Sequence, residues 1–229
     1  MFKNRICFRI YMVSDNPRIS VIVPAHNEEH YIAKTIDSFT RQRTPYELIV
    51  VANGCTDKTA QISDDLGAKV IELETASIPL AKNKGVSQAG GNILVFNDAD
   101  TIVAPNYLES IMASLQNYDY GSARAKAENW KLGTLAYTAM LNFGGLVFRE
   151  SCGNMFVRRD VFESIHGFDE KFMQGEDSDL SIRLRRTGHT FTFLLGTYTI
   201  PSARAVSLSR TVRDSISYLK LLATGNSKE

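Results

Sequence analysis

The stretch Ile93-Leu94-Val95-Phe96-Asn97-Asp98-Ala99-Asp100 decides the fold. Four apolar residues in a row, led by β-branched Ile93, read as a strand buried on both faces, as strands of a parallel sheet are. The strand runs out into Asp98 and Asp100, two carboxylates spaced i, i+2, with Thr101 and Pro105 behind them. The acids therefore sit where strand becomes loop, and in open α/β sheets that carboxyl edge is where ligands bind. Two adjacent carboxylates repel unless a positive charge lies between them, and a hard divalent cation carrying substrate phosphates is the usual partner. A solvated acidic loop would read the same way in isolation, so the surrounding chain has to decide.

Upstream, three strand–helix units lead into this strand. Ile19-Ser20-Val21-Ile22-Val23 predicts a strand ending at Pro24, which cannot donate to a ladder, and Ala25-His26-Asn27-Glu28-Glu29 follows as a polar loop. Ile32, Ile36 and Phe39 then recur at helical spacing. Leu48 to Val51 is the second strand and Ala52 to Cys55 a tight turn. Thr56 or Asp57 is placed to cap a helix that carries Ile62 and Leu66 and stops at Gly67. Lys69 to Leu73 is the third strand, and a helix capped by Ser77, with Pro79 in its first turn, ends at Gly90-Gly91. Three such units feeding a fourth strand predict a doubly wound α/β half, a Rossmann-like, mostly parallel sheet with helices on both faces.

Downstream the pattern changes. Pro105 opens a helix with Leu108, Ile111, Met112 and Leu115 on one face, and Tyr118 to Ala127 alternates weakly as a strand. Lys131 to Asn142 reads as helix, Gly153 to Val157 as strand, Glu176 to Gly188 as helix, and Phe191 to Leu195 as a last strand. The expected division is a tail over 1–17, one domain over 18–200, and a basic linker with a helix over 201–229.

At 229 residues, 44% apolar and 22% charged, the chain is long enough for a large buried core. A net charge of +1 gives no general pull toward nucleic acid, so none is expected as a partner. Cys7, Cys55 and Cys152 match no metal-ligand spacing and no disulfide framework, which favours a reducing, cytoplasmic setting. Lys3, Arg5 and Arg9 break the apolar run at the N-terminus, which reads as a tail rather than a signal peptide, with Met12 an alternative start. The most apolar long segment, Leu132 to Phe148, is interrupted by Asn142 and three glycines and is not expected to span a bilayer.

Five polar motifs fall at element boundaries: Val21-Ile22-Val23-Pro24-Ala25-His26-Asn27-Glu28-Glu29; Asn53-Gly54-Cys55-Thr56-Asp57; Ala81-Lys82-Asn83-Lys84-Gly85; Asp98-Ala99-Asp100; and Gly167-Phe168-Asp169 with Gly175-Glu176-Asp177-Ser178-Asp179-Leu180. In this order they resemble a family-2 glycosyltransferase of the GT-A fold, over roughly Ile19 to Leu195. The resemblance implies transfer of a sugar from a UDP- or GDP-linked donor to a glycan, lipid or small-molecule acceptor, with inversion and with Mn2+ or Mg2+ as cofactor. It also implies a nucleotide-sugar half over about 18–103 and an acceptor half over about 104–200, with a C-terminal extension on the acceptor side.

By the same resemblance Pro24, Ala25, Asn27 and Glu28 line the nucleoside. A carboxylate at Glu28 can accept from both hydroxyls of a ribose, although Glu28 and Glu29 would equally favour a helix N-terminus. Asn53 stands where relatives carry an acid pair against the base. Asparagine still offers a donor and an acceptor, and the base stays open between uridine and guanosine. Lys82 would face the nucleotide, with Lys84 an alternative cation. Asp100 is the expected metal ligand, and Asp98 binds the donor or the metal through water. Asp177 is the expected base, since the acceptor hydroxyl must lose its proton to attack the anomeric carbon. Its place just before a helix also suits an N-cap, and the two roles are compatible. Gly153, Asn154, Arg158 and Glu176 would border the acceptor. His26 and His30 read as incidental, and the third metal ligand found in some relatives has no assignment here.

Two other classes carry weight. A sugar-nucleotide pyrophosphorylase shares the nucleotide half but begins with a glycine-rich basic loop, where this chain has Pro24-Ala25-His26-Asn27. A sugar-nucleotide-binding protein without transfer activity would have no use for Asp177. Arg204, Arg210, Arg213 and Lys220, interleaved with Val212, Ile216, Leu219 and Leu222, suit an interfacial helix and so a peripheral contact with the inner face of a membrane. A helix packed on the domain with a solvated basic face has the same pattern.

Overall fold

A computed structural model describes residues 18–149, 154–172 and 175–205. The predicted tail over 1–17, Gly153, and the predicted basic helix beyond residue 205 lie outside these described residues. Four parallel strands come first: β1 (Ile19–Ala25), β2 (Tyr46–Asn53), β3 (Lys69–Leu73) and β4 (Ile93–Asn97), joined through α1 (Ile32–Thr40), α2 (Thr59–Asp65) and α3 (Ile78–Ser87). There follow β5 (Thr101–Val103), α4 (Tyr107–Ser114), β6 (Tyr120–Ala125), α5 (Leu132–Phe143) with a π-helical turn at Gly144–Phe148, β7 (Asn154–Arg158), α6 (Arg159–Ser164), α7 (Glu176–Arg186) and β8 (Phe191–Pro201). They form one sheet of eight strands, order β3-β2-β1-β4-β7-β6-β8-β5. β1 to β4 and the β6–β8 pair are parallel, while β7 and β5 run antiparallel to their neighbours.

The apolar runs form strands because both faces of this sheet are covered. Val21, Val23, Val50 and Val95 pack with Ile32, Ile36 and Phe39 of α1 and Leu108 and Ile111 of α4. Ile22, Ile49, Val51, Leu94 and Phe96 pack the other way, against Ala81 and Val86 of α3. Alternate residues thus enter opposite cores, as the period of two demands. A Cβ on Gly85 would stand 2.5 Å from Ile22 Cγ2, so only glycine lets α3 lie this close to β1.

Sequence expectation and structure part at several boundaries. β1 continues through Pro24, in register with Val51, because pairing with β4 ends at Ile22 and the missing donor faces no partner there. β8 does not stop at Leu195 but reaches Pro201, passing an irregularity in its pairing with β6 between Ala123 and Ala125. β5 and α6 are too short to leave a periodic signal. Asp177 is not an N-cap: Gly175 is, in the left-handed region at φ 80°, and Glu176 and Asp177 lie in the first turn of α7. Ser77 holds the N-cap position of α3, but its side chain makes no capping bond.

One connection gives the sheet its shape. Four strand steps separate β4 from β5, about 19 Å in a flat sheet at ~4.8 Å per step. From Asn97 to Thr101 the chain can span no more than about 14 Å. The sheet must curl, and the curl carries the end of β8 back to Asp100.

Candidate active site

The acid turn is pinned on three sides. Thr101 N–H donates to the Asp98 carbonyl at 3.1 Å, and Asn97 Nδ2 donates to the Asp98 and Thr101 carbonyls at 2.9 and 3.0 Å. Thr35 Oγ1, from α1, donates to the Ala99 carbonyl at 2.7 Å. Asp98 and Asp100 are thereby held at the carboxyl edge of the sheet.

On one side of the turn lies a buried cation. Lys82, 2% exposed on α3, donates from Nζ to Asp177 Oδ1 at 2.6 Å and to Glu176 Oε1 at 2.8 Å. The ammonium also sits 5.0 Å from the Phe168 ring centroid, and Phe168 meets Phe96 edge-on. Asn83 holds that ring's backbone, with Nδ2 donating to the Phe168 carbonyl and Oδ1 accepting from its N–H. The motifs around Lys82 and Gly167-Phe168-Asp169 therefore make one mount for the lysine. Burial alone would lower the Lys82 pKa; the attraction of Asp177, Glu176 and Asp98 outweighs it and carries the value up. Burial works against the Glu176 charge too, but attraction and a hydrogen bond from Lys82 leave its carboxyl below the ordinary range. Asp98 goes the other way. Burial, only partly relieved by Lys82, together with repulsion from Asp177, Asp100 and Glu176, pushes it well above the usual carboxylate value.

On the other side lies a more open cation. Arg204 Nη2 donates to Glu28 Oε1 at 2.6 Å and to Asp100 Oδ2 at 3.1 Å, and the guanidinium lies over Tyr31. Ser202 Oγ donates to the same Asp100 oxygen at 2.6 Å. Glu28 Oε2 is buried without a hydrogen-bond partner among the described residues. Sequence reasoning counted Arg204 with a membrane-facing helix. The curl of the sheet removes it from that group and brings it 104 residues back to Asp100, a contact no local pattern signals.

The loops after β1 and β2 are tied together. His26 Nδ1 lies 2.7 Å from the Asn53 carbonyl, Asn27 Oδ1 accepts from Thr56 N–H at 2.8 Å, and Glu28 N–H donates to Thr59 Oγ1 at 2.7 Å. Asp57 accepts from the backbone of both Glu29 and Thr59. His26, read as incidental, is thus a latch, and Asn27 spends its side-chain oxygen on the neighbouring loop. Asn53, 2% exposed, has its Oδ1 accepting from the Ser77 N–H at 2.7 Å, so the acceptor expected for a base is already partly engaged while the Nδ2 donor is not. Gly54 turns the chain in the left-handed region at φ 65°, where a Cβ would strike Ala76.

Beside Asp98 opens a cavity whose other walls include Ser122, Tyr137, Asn142, Asn154 and Thr199. Asn154 Nδ2 donates to Thr199 Oγ1 at 3.2 Å. His189 pairs with Asp119 at 3.6 Å, at the far end of β8 from the acids. Among the described residues no group of three His, Cys, Asp or Glu could by itself hold a metal.

This arrangement of a parallel half, an acid turn at its carboxyl edge and a second pair of acids on α7 can be set against known proteins. Residues 20–172 match glycosyl transferase family 2. The chain belongs to that family. Glycosyltransferase AglE of Haloferax volcanii is 29% identical over 200 residues, covering 80% of this chain and 66% of AglE. Among solved structures, the mannosyltransferase PcManGT of Pyrobaculum calidifontis, in complex with GDP-Man and Mn2+, superposes with TM-score 0.71 at 18% identity, over 93% of this chain and 66% of that one. S. aureus TarS 1–349 in complex with UDP-GlcNAc superposes with TM-score 0.67 at 20% identity, over 93% of this chain and 68% of that one. The fold is GT-A, and this chain spans about two thirds of each of these relatives.

Proposed function

We propose that this chain moves a sugar from a nucleotide-diphosphate-sugar to an acceptor hydroxyl with inversion, and that Asp177 is the base. The observation that carries the reading is a buried carboxylate held by Lys82 next to Asp98 and the cavity beside it. Residues 18–103 serve as the donor half, and 104–200 as the acceptor half. Glu28, with one oxygen on Arg204 and one left over, suits a ribose diol. Pro24, Ala25 and the Asn53 Nδ2 donor border the base of a UDP- or GDP-linked donor, the two nucleotides bound by the TarS and PcManGT structures.

The donor set fits a hard divalent cation, Mn2+ or Mg2+. Asp98 is crowded by three other carboxylates, so positive charge is what this turn is short of. Such ions commonly take one or two carboxylates and complete their shell with substrate phosphates. Asp100, with Asp98, would hold the cation, which supplies charge to the departing diphosphate. Asp177 takes the acceptor proton as the acceptor oxygen bonds to the anomeric carbon, and the bond from that carbon to the diphosphate breaks in the same displacement. Lys82 keeps Asp177 in place, while Glu176 and Asn154 border the acceptor, a glycan, lipid or small molecule. The free Cys55 thiol, which donates to the Ala25 carbonyl at 3.1 Å inside the nucleotide end, fits a reducing cytoplasmic setting. Among the described residues no helix is long and apolar enough to cross a membrane.

A thermal-shift and turnover screen of UDP- and GDP-sugars with and without Mn2+ tests this. A matching donor should raise Tm only with the metal present, by mass action, and chelator should abolish turnover. Asp100→Ala should lose the metal-dependent part of the shift. Full turnover in excess chelator would overturn the metal, and binding without any turnover would leave a sugar-nucleotide-binding protein.

A further inference from the structure

α5 is built inside out. Its polar residues Thr134 and Thr138 are buried, and Asn142 turns inward to exchange two hydrogen bonds with the Ala125 backbone. Outward stand Leu132, Leu135 and Phe143, continued by Leu146 and Val147 of the π-helical turn. Trp130, 91% exposed, stands at the start of this ridge. A contiguous exposed apolar face of this kind marks a docking surface.

The charges around it decide what docks. Between Glu128 and Glu150 the only charged residues are Lys131 and Arg149, which bracket the apolar run. Arg185 reaches the same end, donating to the Phe148 carbonyl at 2.7 Å. Apolar side chains with tryptophan and a basic rim are the composition of helices that lie in a bilayer interface. A second copy docked through this face would bring two basic rims together, whereas an anionic headgroup layer complements them.

We propose that the outer face of α5 and its π-helical turn docks the protein on an anionic lipid bilayer. The inner side of the helix faces the cavity, through Tyr137, Leu141 and Asn142, across from Asp98. Docking therefore holds the cavity about one helix thickness, ~10 Å, from the lipid surface, and the acceptor class this favours is a hydroxyl borne on a membrane lipid. This last step rests on the transfer reading above; the docking itself does not.

Trp130 is the only tryptophan, so its emission reports on this face alone. With vesicles of phosphatidylcholine and about one-third phosphatidylglycerol, the full chain should co-float. Its emission should shift to the blue and be quenched by brominated lipid, and salt should weaken all three. The double variant Phe143→Glu with Leu146→Glu should partition at least tenfold less. Its circular dichroism and metal-dependent donor hydrolysis should match the wild type, and that assay reads the transfer chemistry independently. Failure of the wild type to float would overturn the proposal, as would flotation without a Trp130 shift. A concentration-dependent dimer abolished by the double variant, without vesicle binding, would assign the face to a second copy instead.

Discussion

Two cations face the acid turn from opposite sides, and they differ in burial rather than in partners. Each bridges two carboxylates at 3.1 Å or less, yet the Lys82 side chain is 2% exposed and that of Arg204 43%. The lysine was carried into the interior by α3, and there its two acids cannot turn to water. The arginine lies at the rim on a short 3-10 turn, Ala203–Ala205, where solvent screens it and a ligand can compete for it. The same chemistry thus yields a fixed post on the α7 side and an exchangeable contact on the Glu28 side. The dry side is the one that carries Asp177, the proposed base.

The sharpest way to break this contrast is at Asp177. Asp177→Asn keeps the shape, and the N-cap belongs to Gly175, so the helix start survives. Donor affinity should change little while transfer falls by about two to four decades, the usual worth of a general base. Single-turnover transfer and donor titration on one preparation check it. Near wild-type transfer by the folded variant would move the role to Glu176 or Asp179.

A second comparison runs between the two cations. Lys82→Met strands two buried carboxylates and should cost about 3–5 kcal/mol in urea unfolding, whereas Arg204→Gln should cost about 1 kcal/mol or less. The pH dependence follows in sign. Glu176 is held below its ordinary value, so its contribution is full above the unfolded carboxylate range and is lost as pH falls through the lower folded value. Lys82 is held above its ordinary value, so its share is full below the unfolded lysine pKa and is lost as pH rises through the higher folded one. Lys82→Met should flatten both limbs of a stability–pH curve, and equal losses for the two variants would erase the distinction.

How much of this was legible follows from where each signal is stored. The parallel half was readable because β1, β2 and β4 are covered on both faces and so appear as apolar runs of three to five residues, ending in polar motifs. The motif order carried the family. β5 and α6 were not readable, being three and six residues long, shorter than the patterns that identify elements. The pairing of Lys82 with Glu176 and Asp177 spans 94 and 95 residues, and that of Arg204 with Asp100 spans 104. Such contacts exist only once the sheet has closed, so composition marks the residues but not their partners. Asn53 shows the same limit, since a side-chain oxygen looks free until Ser77 is found beneath it. The orientation of α5 was hidden for another reason: its apolar residues recur as in any amphipathic helix, and the buried threonines give no sign of which face points in.

Asp98 stands between the two cations, and there the smallest effect carries the most specific information. Its carboxyl is pushed up chiefly by burial and then by Asp177, Asp100 and Glu176, while Lys82, already shared by two acids, relieves it only in part. A carboxyl whose folded pKa lies above the unfolded one opposes folding while it is ionised, and that penalty fades as pH falls through the folded value. Asp98→Asn should therefore stabilise the protein without ligand, even as it weakens metal-dependent donor binding. A gain of about 1 kcal/mol corresponds to a rise of roughly 2–4 °C in Tm for a chain of this size. The gain should shrink as pH is lowered toward the carboxylate range, where wild-type Asp98 takes up its own proton. It should shrink also when wild type is saturated with Mn2+ and a nucleotide-sugar, since the added positive charge meets the need that the substitution removes. Scanning calorimetry at three pH values, with and without ligand, separates these cases. A lower Tm for Asp98→Asn at neutral pH without ligand would mean that Lys82 already satisfies all three acids around it, and the contrast between a saturated dry side and a charge-hungry turn would fall.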